Sequence, residues 1–310
     1  MRAPAVGVLG GGPWGLALAK AAARGPSETW LHSRRAQDDV VAGVRVTRSL
    51  AELARCRLLL VAVPSTLARD VARELGEHLD GSHLVVHGIR GLSGAELSTV
   101  SRIFREETPA RRLGALGGPV QADELAEGRP SAMVVASDFG EVTKAVREAL
   151  EGEHLQVYAS RDLRGLEWAS ALVGCLSIGV GYAQARADIS PGLLAALLSR
   201  AADEAAAIVV AAGADEHTFY GLGGYGDLLA SMALADRPEV VLGRELARGA
   251  SLNDARGRAR LRVEAIDLVP RIAAFARERG VRADILGTIA AMLDGSVPRA
   301  DVVSTLFARS

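Results

Sequence analysis

Lysine is nearly missing from this chain. Of its 36 basic residues only Lys20 and Lys144 are lysines, and the rest are arginines. Arginine stays protonated near neutral pH, so the amine that most often serves as a general acid or base is scarce here. Aromatic residues make up 4% and are not interleaved with basic ones, and the net charge is −1. That composition carries no nucleic-acid surface and no acidic tail. There are two cysteines, Cys56 and Cys175, in apolar surroundings and without CxxC spacing. They read as reduced core thiols of a cytoplasmic protein, and no metal site is expected. The opening "MRAPAVGVLGGGPWG" lacks the layout of a secretory leader, because its apolar run breaks at once into glycines.

Long uncharged runs are also rare. "EWASALVGCLSIGVGYAQAR" (167–186) is the longest stretch with no ionised side chain between its ends. It matches the roughly 20 residues a bilayer requires. Gly174, Gly179, Gly181, Ser170, Ser177 and Gln184 interrupt it, however, and no second such segment exists. A buried helix is expected, not a membrane span.

What is present is an ordinary globular balance, 49% hydrophobic and 24% charged over 310 residues, enough for two domains. Short apolar runs alternate with helical patterns in the first half. "AVGVLG", "ETWLHS", "RLLLVAVP", "SHLVVHGI", "RRLGALGG", "SAMVVAS" and "LQVYAS" read as strands. Strands alternating with helices imply an α/β, doubly wound parallel sheet. From about Asp162 the strand signals stop and Ala/Leu-rich amphipathic stretches run to Arg309. The expected division is residues 1–160 as a nucleotide-binding domain and 161–310 as an all-helical substrate and dimerisation domain.

"VGVLGGGPWGLALA" sets Gly10, Gly12 and Gly15 in G-x-G-x-x-G spacing after a strand and at the start of a helix. The first glycine permits a tight turn, the second lets a pyrophosphate approach the backbone, and the third lets helix pack on sheet. The helix N-terminus then offers free N–H groups to the phosphates. At the end of the second strand a carboxylate would bind the ribose 2′-hydroxyl of NAD. Here Ser33, Arg34 and Arg35 suit a 2′-phosphate, so NADP(H) is preferred over NAD(H).

The chain resembles the bacterial NAD(P)H-dependent glycerol-3-phosphate dehydrogenases over nearly its whole length. "GGGPWGLALA" is similar to the family's GAGxWGTALA, "VAVPS" to its VPS strand end, and "GIRGL" stands where the family has TKGL. "LGGPVQADELAEGRPSAMVVAS" resembles SGPxFAxEVxxGxPTAxxxAS, and "VYASRDLRGLEWASALVGCLSIG" resembles VYxxxDxxGVELGGALKNVxAIA. "GYGDLLAS", "RVEA" and "VPRADVVSTLF" are similar to GLGDLxLT, VVEG and SPREAVxxLM. The resemblance implies a Rossmann domain, a helical domain of the 6-phosphogluconate dehydrogenase C-terminal-like kind, and a homodimer. It also implies cofactor contacts at Pro13, Trp14, Pro64, Arg90, Ala122 and Glu264, and substrate contacts at Gly118 and Ser231.

Departures fall on the chemistry. The family's proton-transfer lysine falls on Val173 and the neighbouring asparagine on Gly174; the TKGL lysine becomes Arg90. The SRNR loop that grips the substrate phosphate aligns with "RPEV" (237–240), placing Pro238 and Glu239 at its first arginine and its asparagine. Losing a placed general acid typically costs about 10²–10⁴ in rate. Candidates to replace it are His87, Arg90 and Asp227. His87 reads equally as a strand-end histidine facing its loop, and Asp227 as a helix N-cap carboxylate. Asp123 and Tyr225 stand beside them, the first also readable as a solvated helix-start carboxylate and the second as a packing side chain. "ARGRARLRVEA" places Arg256, Arg258, Arg260 and Arg262 at alternate positions. It reads as a solvated basic loop or, with Arg237, as a replacement anion site.

The leading expectation is an NAD(P)H-dependent oxidoreductase resembling the dehydrogenases that interconvert dihydroxyacetone phosphate and glycerol 3-phosphate, with an altered acid group and phosphate site that leave room for a different carbonyl or imine substrate. The alternatives are an inactive NADP-binding regulator and a true glycerol-3-phosphate dehydrogenase using other residues.

Overall fold

The computed structural model describes residues 5–34, 42–94, 96–260, 263–298 and 301–308. The chain divides into two compact units, Met1–Glu167 and Trp168–Ser310. In the first, β1 (Val6–Leu9), β2 (Thr29–His32), β3 (Val44–Thr47), β4 (Leu58–Val61), β5 (Leu84–His87), β6 (Arg112–Gly117), β7 (Ser131–Ala136) and β8 (Leu155–Ser160) form one sheet. Their order is β3-β2-β1-β4-β5-β6-β7-β8. Strands β1, β2, β4 and β5 are buried at every position, and β1 and β4 accordingly read in sequence as unbroken apolar runs, while β2 and β5 also bury Thr29, His32 and His87.

Between the strands lie α1 (Pro13–Ala23), α2 (Leu50–Leu53), α3 (Ala68–Gly76), α4 (Val100–Glu107), α5 (Ala122–Glu127) and α6 (Gly140–Leu150). Leu18 and Ala22 of α1 and Val142 and Val146 of α6 join Val8, Leu60, Val86 and Met133 of the sheet in one apolar core. The order reverses at β1, whose neighbours are β2 and β4, so the topological switch point lies at the carboxyl ends of β1 and β4. That switch point is where open α/β sheets bind their ligands.

Two features of the sheet go beyond the doubly wound parallel pattern. The sheet is not wholly parallel, because β7 runs antiparallel to β6. The intervening α5 has only six residues and docks on α1, so it does not serve as a crossover helix laid on the sheet. Strand β3 was also absent from the sequence reading. Its burial pattern, with only Val44 and Thr47 inside, is that of an edge strand, and Arg45 stacks over Trp30 at 4.1 Å.

The second unit is helical. The 22-residue α7 (Leu163–Gln184) begins before Trp168 and is followed by α8 (Pro191–Ala211) and α9 (Glu216–Tyr220). A π-helical turn, Leu222–Gly226, leads into α10 (Asp227–Ala233). Then come α11 (Pro238–Arg248), α12 (Leu252–Arg258), α13 (Ala265–Glu278), α14 (Asp284–Asp294) and α15 (Val302–Ala308). Helix α7 passes the length and hydropathy test for a membrane span, yet its apolar window is 94% buried inside the protein. Its Gly181 has a packing cause, as does Gly243 of α11. A Cβ on Gly181 would lie 2.0 Å from the Val240 carbonyl oxygen, and one on Gly243 would lie 1.9 Å from the Ile178 carbonyl oxygen. Helices α7 and α11 therefore cross backbone against backbone.

Glu204 of α8 accepts the Ile285 and Leu286 N–H groups, each at 2.8 Å, in the first turn of α14. Burial is the main cause that pushes its carboxyl up to about 7. A carboxyl whose folded value lies above its unfolded one makes the folded state hold a proton that the unfolded state has released. Stability therefore falls as pH rises from roughly 4.5 to 7, by an amount on the order of 3 kcal/mol for a shift of this size. Chemical denaturation of Glu204→Gln between pH 5 and 8 should show a flatter profile than the unmodified chain; an unchanged slope would assign the pH dependence to other groups.

Candidate functional site

The turn after β1 is shaped by its three glycines. Gly10 has φ +125°, and a Cβ there would lie 2.2 Å from the Ala62 carbonyl oxygen at the end of β4. A Cβ on Gly15 would lie 1.9 Å from the Gly10 carbonyl oxygen, so helix α1 rests directly on the turn. Among the described residues, nothing beyond its chain neighbours comes within 4 Å of such an atom on Gly12. It is the N-cap of α1 and brings no capping side chain, and the first turn carries no acidic residue. The first-turn amides are thus presented beside an open approach. That is the geometry a pyrophosphate needs, so these residues fit a dinucleotide.

Pro13 is exposed and Trp14 partly buried. The Trp14 indole Nε1 is buried and makes no hydrogen bond among the described residues. It faces Gly88, where a Cβ would lie 2.3 Å away, so this loop must present bare backbone to the indole. Pro64 stands exposed where the chain leaves β4.

At the end of β2 the Ser33 N–H donates to the Thr47 carbonyl (3.3 Å), and Ser33 is buried while Arg34 is exposed. Arg35 lies outside the described residues, as does Arg262. The His32 Nε2 meets the Arg48 carbonyl at 3.2 Å, and burial is the main cause lowering its pKa. The exposed Arg48 follows β3, whose Thr47 pairs with His32. Sequence reading missed Arg48 because it missed that strand; the alternation in "VRVT" was the available signal.

His87 closes β5 and is 3% exposed. Its Nε2 lies 3.0 Å from Glu167 Oε1. Glu167, also buried, accepts from the Ser101 N–H (2.8 Å) and hydroxyl (2.6 Å). The Ile89 N–H donates to His87 Nδ1 at 3.4 Å. Both ring nitrogens are therefore engaged within the protein. Arg90 follows, partly buried, beside Gly91 at φ +119°. Gly118 follows β6 at φ +109°, and a Cβ there would meet Met133 Cα at 3.3 Å. Ala122 opens α5, and Asp123 is exposed and paired with Arg129 at 2.9 Å.

In the second unit Asp227, Ser231 and Arg237 are buried together. Arg237 Nη1 donates to Asp227 Oδ1 at 2.9 Å and to the Ser231 hydroxyl, and its Nε lies 3.5 Å from Glu239 Oε2. Ser231 Oγ lies 2.9 Å from Ser177 Oγ, and the Ser177 hydroxyl donates to the Val173 carbonyl at 2.6 Å. A polar chain thus runs from α11 through α10 to the turn of α7 at Val173, itself fully buried. Burial pushes the nearby Cys175 thiol up, with Glu239 adding to the shift.

The reading of Asp227 as a helix N-cap is corrected here. Gly226 occupies the cap position, and the carboxylate is directed to Arg237. Tyr225 lies in the π-helical turn, partly exposed. The basic stretch is corrected as well. Arg256 and Arg258 belong to the last turn of α12, Arg260 takes φ +58°, and Arg258 pairs with Glu245. Only its first part is helical; Arg256, Arg258 and Arg260 are exposed, and Arg258 is engaged apart from Arg237. Glu264 precedes α13, its carbonyl accepting from Asp267 N–H at 3.1 Å. An apolar cavity of about 60 Å³ among Leu176, Leu198, Ile289 and Met292 is smaller than the ~150 Å³ that holds benzene, so it offers no substrate room.

A glycine-lined turn at the switch point of a 3-2-1-4-5-6 sheet, joined to a helical unit, defines the dinucleotide-binding oxidoreductases as a class. Within that class the chain belongs to the NAD-dependent glycerol-3-phosphate dehydrogenase family. The family's N-terminal model matches residues 5–143 and its C-terminal model residues 162–304. Among curated relatives, glycerol-3-phosphate dehydrogenase [NAD(P)+] of Brucella ovis is 29% identical over 98% of this chain and 97% of its own length. That of Maricaulis maris is 29% identical over 98% and 96%. The fold matches the crystal structure of glycerol-3-phosphate dehydrogenase from Coxiella burnetii with a TM-score of 0.89 at 21% identity, covering 99% of each chain.

Proposed function

We propose that this chain is an NADP(H)-preferring oxidoreductase whose substrate is a carbonyl or imine other than dihydroxyacetone phosphate. The cofactor would be held by Gly10, Gly12, Pro13, Trp14 and Gly15, with Pro64, Arg90, Ala122 and Glu264 as further contacts. Ser33 and Arg34, and Arg35 with them, would take the 2′-phosphate, and the exposed Arg48 adds a cation beside them. When bound, the dihydronicotinamide supplies a hydride.

The observation that carries the changed substrate is the closed cluster around Arg237. By resemblance this is where the family grips a phosphate, at residues 237–240, and keeps its lysine, at Val173. Arg237 instead faces Asp227 and Glu239, so one cation meets two carboxylates. A phosphate dianion would meet net negative charge and no lysine. A neutral or cationic substrate such as an imine suits that balance better, with Gly118 and Ser231 as the remaining contacts implied by resemblance. Asp227 and Arg90 remain proposed as groups acting at the reacting centre. A homodimer working in the cytoplasm completes the reading; the two cysteines, both buried and free, are consistent with a reducing compartment.

NADPH oxidation with dihydroxyacetone phosphate tests it. Typical turnover is about 10 s⁻¹, and loss of a placed acid lowers that to roughly 10⁻¹–10⁻³ s⁻¹. Turnover near the typical figure would return the chain to ordinary glycerol-3-phosphate dehydrogenase chemistry. Tight NADPH binding with no turnover across small carbonyls and imines would favour the cofactor-binding regulator, a reading the complete burial of Asp227 and Ser231 also suits.

A further inference from the structure

We infer that His87 is a positioning residue that holds the Gly88–Arg90 loop in its cofactor-ready conformation by accepting the Ile89 N–H, while Glu167 fixes the ring that does so. The inference rests on the proposed cofactor role of Arg90 and extends it to a side chain that need not touch the cofactor.

The Gly88 N–H still donates to Val61 at 2.8 Å, so the sheet ladder reaches that far. Ile89 carries the next amide along the chain, and its acceptor is the His87 ring, two residues back. Ring orientation is settled by the other nitrogen. Glu167 is an acceptor, so Nε2 carries the hydrogen and Nδ1 presents its lone pair to Ile89. Glu167 is itself fixed by both Ser101 donors in the first turn of α4. Three elements thus converge on one carboxylate: the end of β5, the start of α4 and the start of α7.

The loop so held lies against the fingerprint. Gly88 faces the Trp14 indole with no room for a side chain, and Arg90 comes two residues later. If the Ile89 amide is released, Gly88 keeps its bond to Val61, but the backbone between it and Arg90 loses the His87 tether.

Two substitutions separate holding the loop from holding the fold. In His87→Asn the side-chain oxygen can accept the N–H two residues on, as in an Asx turn, but the bond to Glu167 is lost. In His87→Gln the longer amide keeps a donor toward Glu167 and removes the acceptor for Ile89. His87→Gln should retain the thermal midpoint and weaken NADPH binding several-fold to tenfold, read by nicotinamide fluorescence. His87→Asn should lower the midpoint and keep affinity within about threefold. Hydrogen exchange of the peptide spanning Gly88–Leu92, measured without cofactor, should accelerate by a similar factor only in the glutamine variant. Unchanged exchange there, or affinity losses that follow the midpoint in both variants, would overturn the inference. Failure of the unmodified chain to bind NADPH would overturn the cofactor reading instead, and the exchange result would still decide whether His87 holds the loop.

Discussion

Gly12→Glu should remove measurable binding of NADPH and NADH while leaving the thermal midpoint within about 2 °C of the unmodified chain. Among the described residues nothing beyond its own chain neighbours lies within 4 Å of where a Cβ would sit, so the substitution meets no obstacle there. Its carboxylate would stand at the N-cap of α1, on the approach to the first-turn amides. Like charges brought together cost several kcal/mol, or roughly 10²–10³ in affinity. Gly15→Ala is the contrasting variant. Its methyl would meet the Gly10 carbonyl oxygen at 1.9 Å, so it should lose about 1–3 kcal/mol of stability and shift the turn. Fluorescence titration and thermal unfolding of both proteins separate the two roles. Gly12→Glu protein that still binds NADPH normally would place the cofactor elsewhere.

Arg237→Met should be among the most destabilising single changes in the helical unit, by about 3–5 kcal/mol. It would leave the Asp227 carboxylate, wholly buried, without its guanidinium. Pairing it with Asp227→Leu should restore much of the loss, because a well-packed apolar replacement of a buried ion pair is often neutral. Urea unfolding of both variants measures the difference. A cost below about 1 kcal/mol for Arg237→Met would mean that the pair does not hold α10 and α11 together, and the closed-cluster account of the substrate site would fall with it.

Much of the first unit was legible in the sequence, because its fully buried parallel strands are mostly apolar and the fingerprint has a fixed spacing. Strand β3 escaped because an edge strand with arginine at its second position looks like a loop. The reversed direction of β7 escaped because its direction depends on where the short α5 docks, which is a tertiary matter. The same division runs through the site. Gly10, Gly12 and Gly15 carry their roles in local backbone geometry, so spacing alone exposes them. The partnership of Arg237 with Asp227 joins the N-termini of two helices, and no periodicity in either reveals it. His87 was noticed for its place at a strand end, but its partner Glu167 is 80 residues away in sequence and belongs to a helix otherwise read for what it lacks.

The crossing of α7 and α11 at Gly181 and Gly243 works as a hard stop rather than a spring. Ordinary helix pairs sit about 8–10 Å apart with side chains between them, and rotamer changes can absorb a small displacement. Here carbonyl meets bare backbone, and nothing at the contact can yield. A shift of α11 that carried Arg237 closer to α7 is therefore blocked, whereas a shift away is not. Any loosening of the polar cluster has to proceed by separation of the two helices, so its mobility is one-sided by construction.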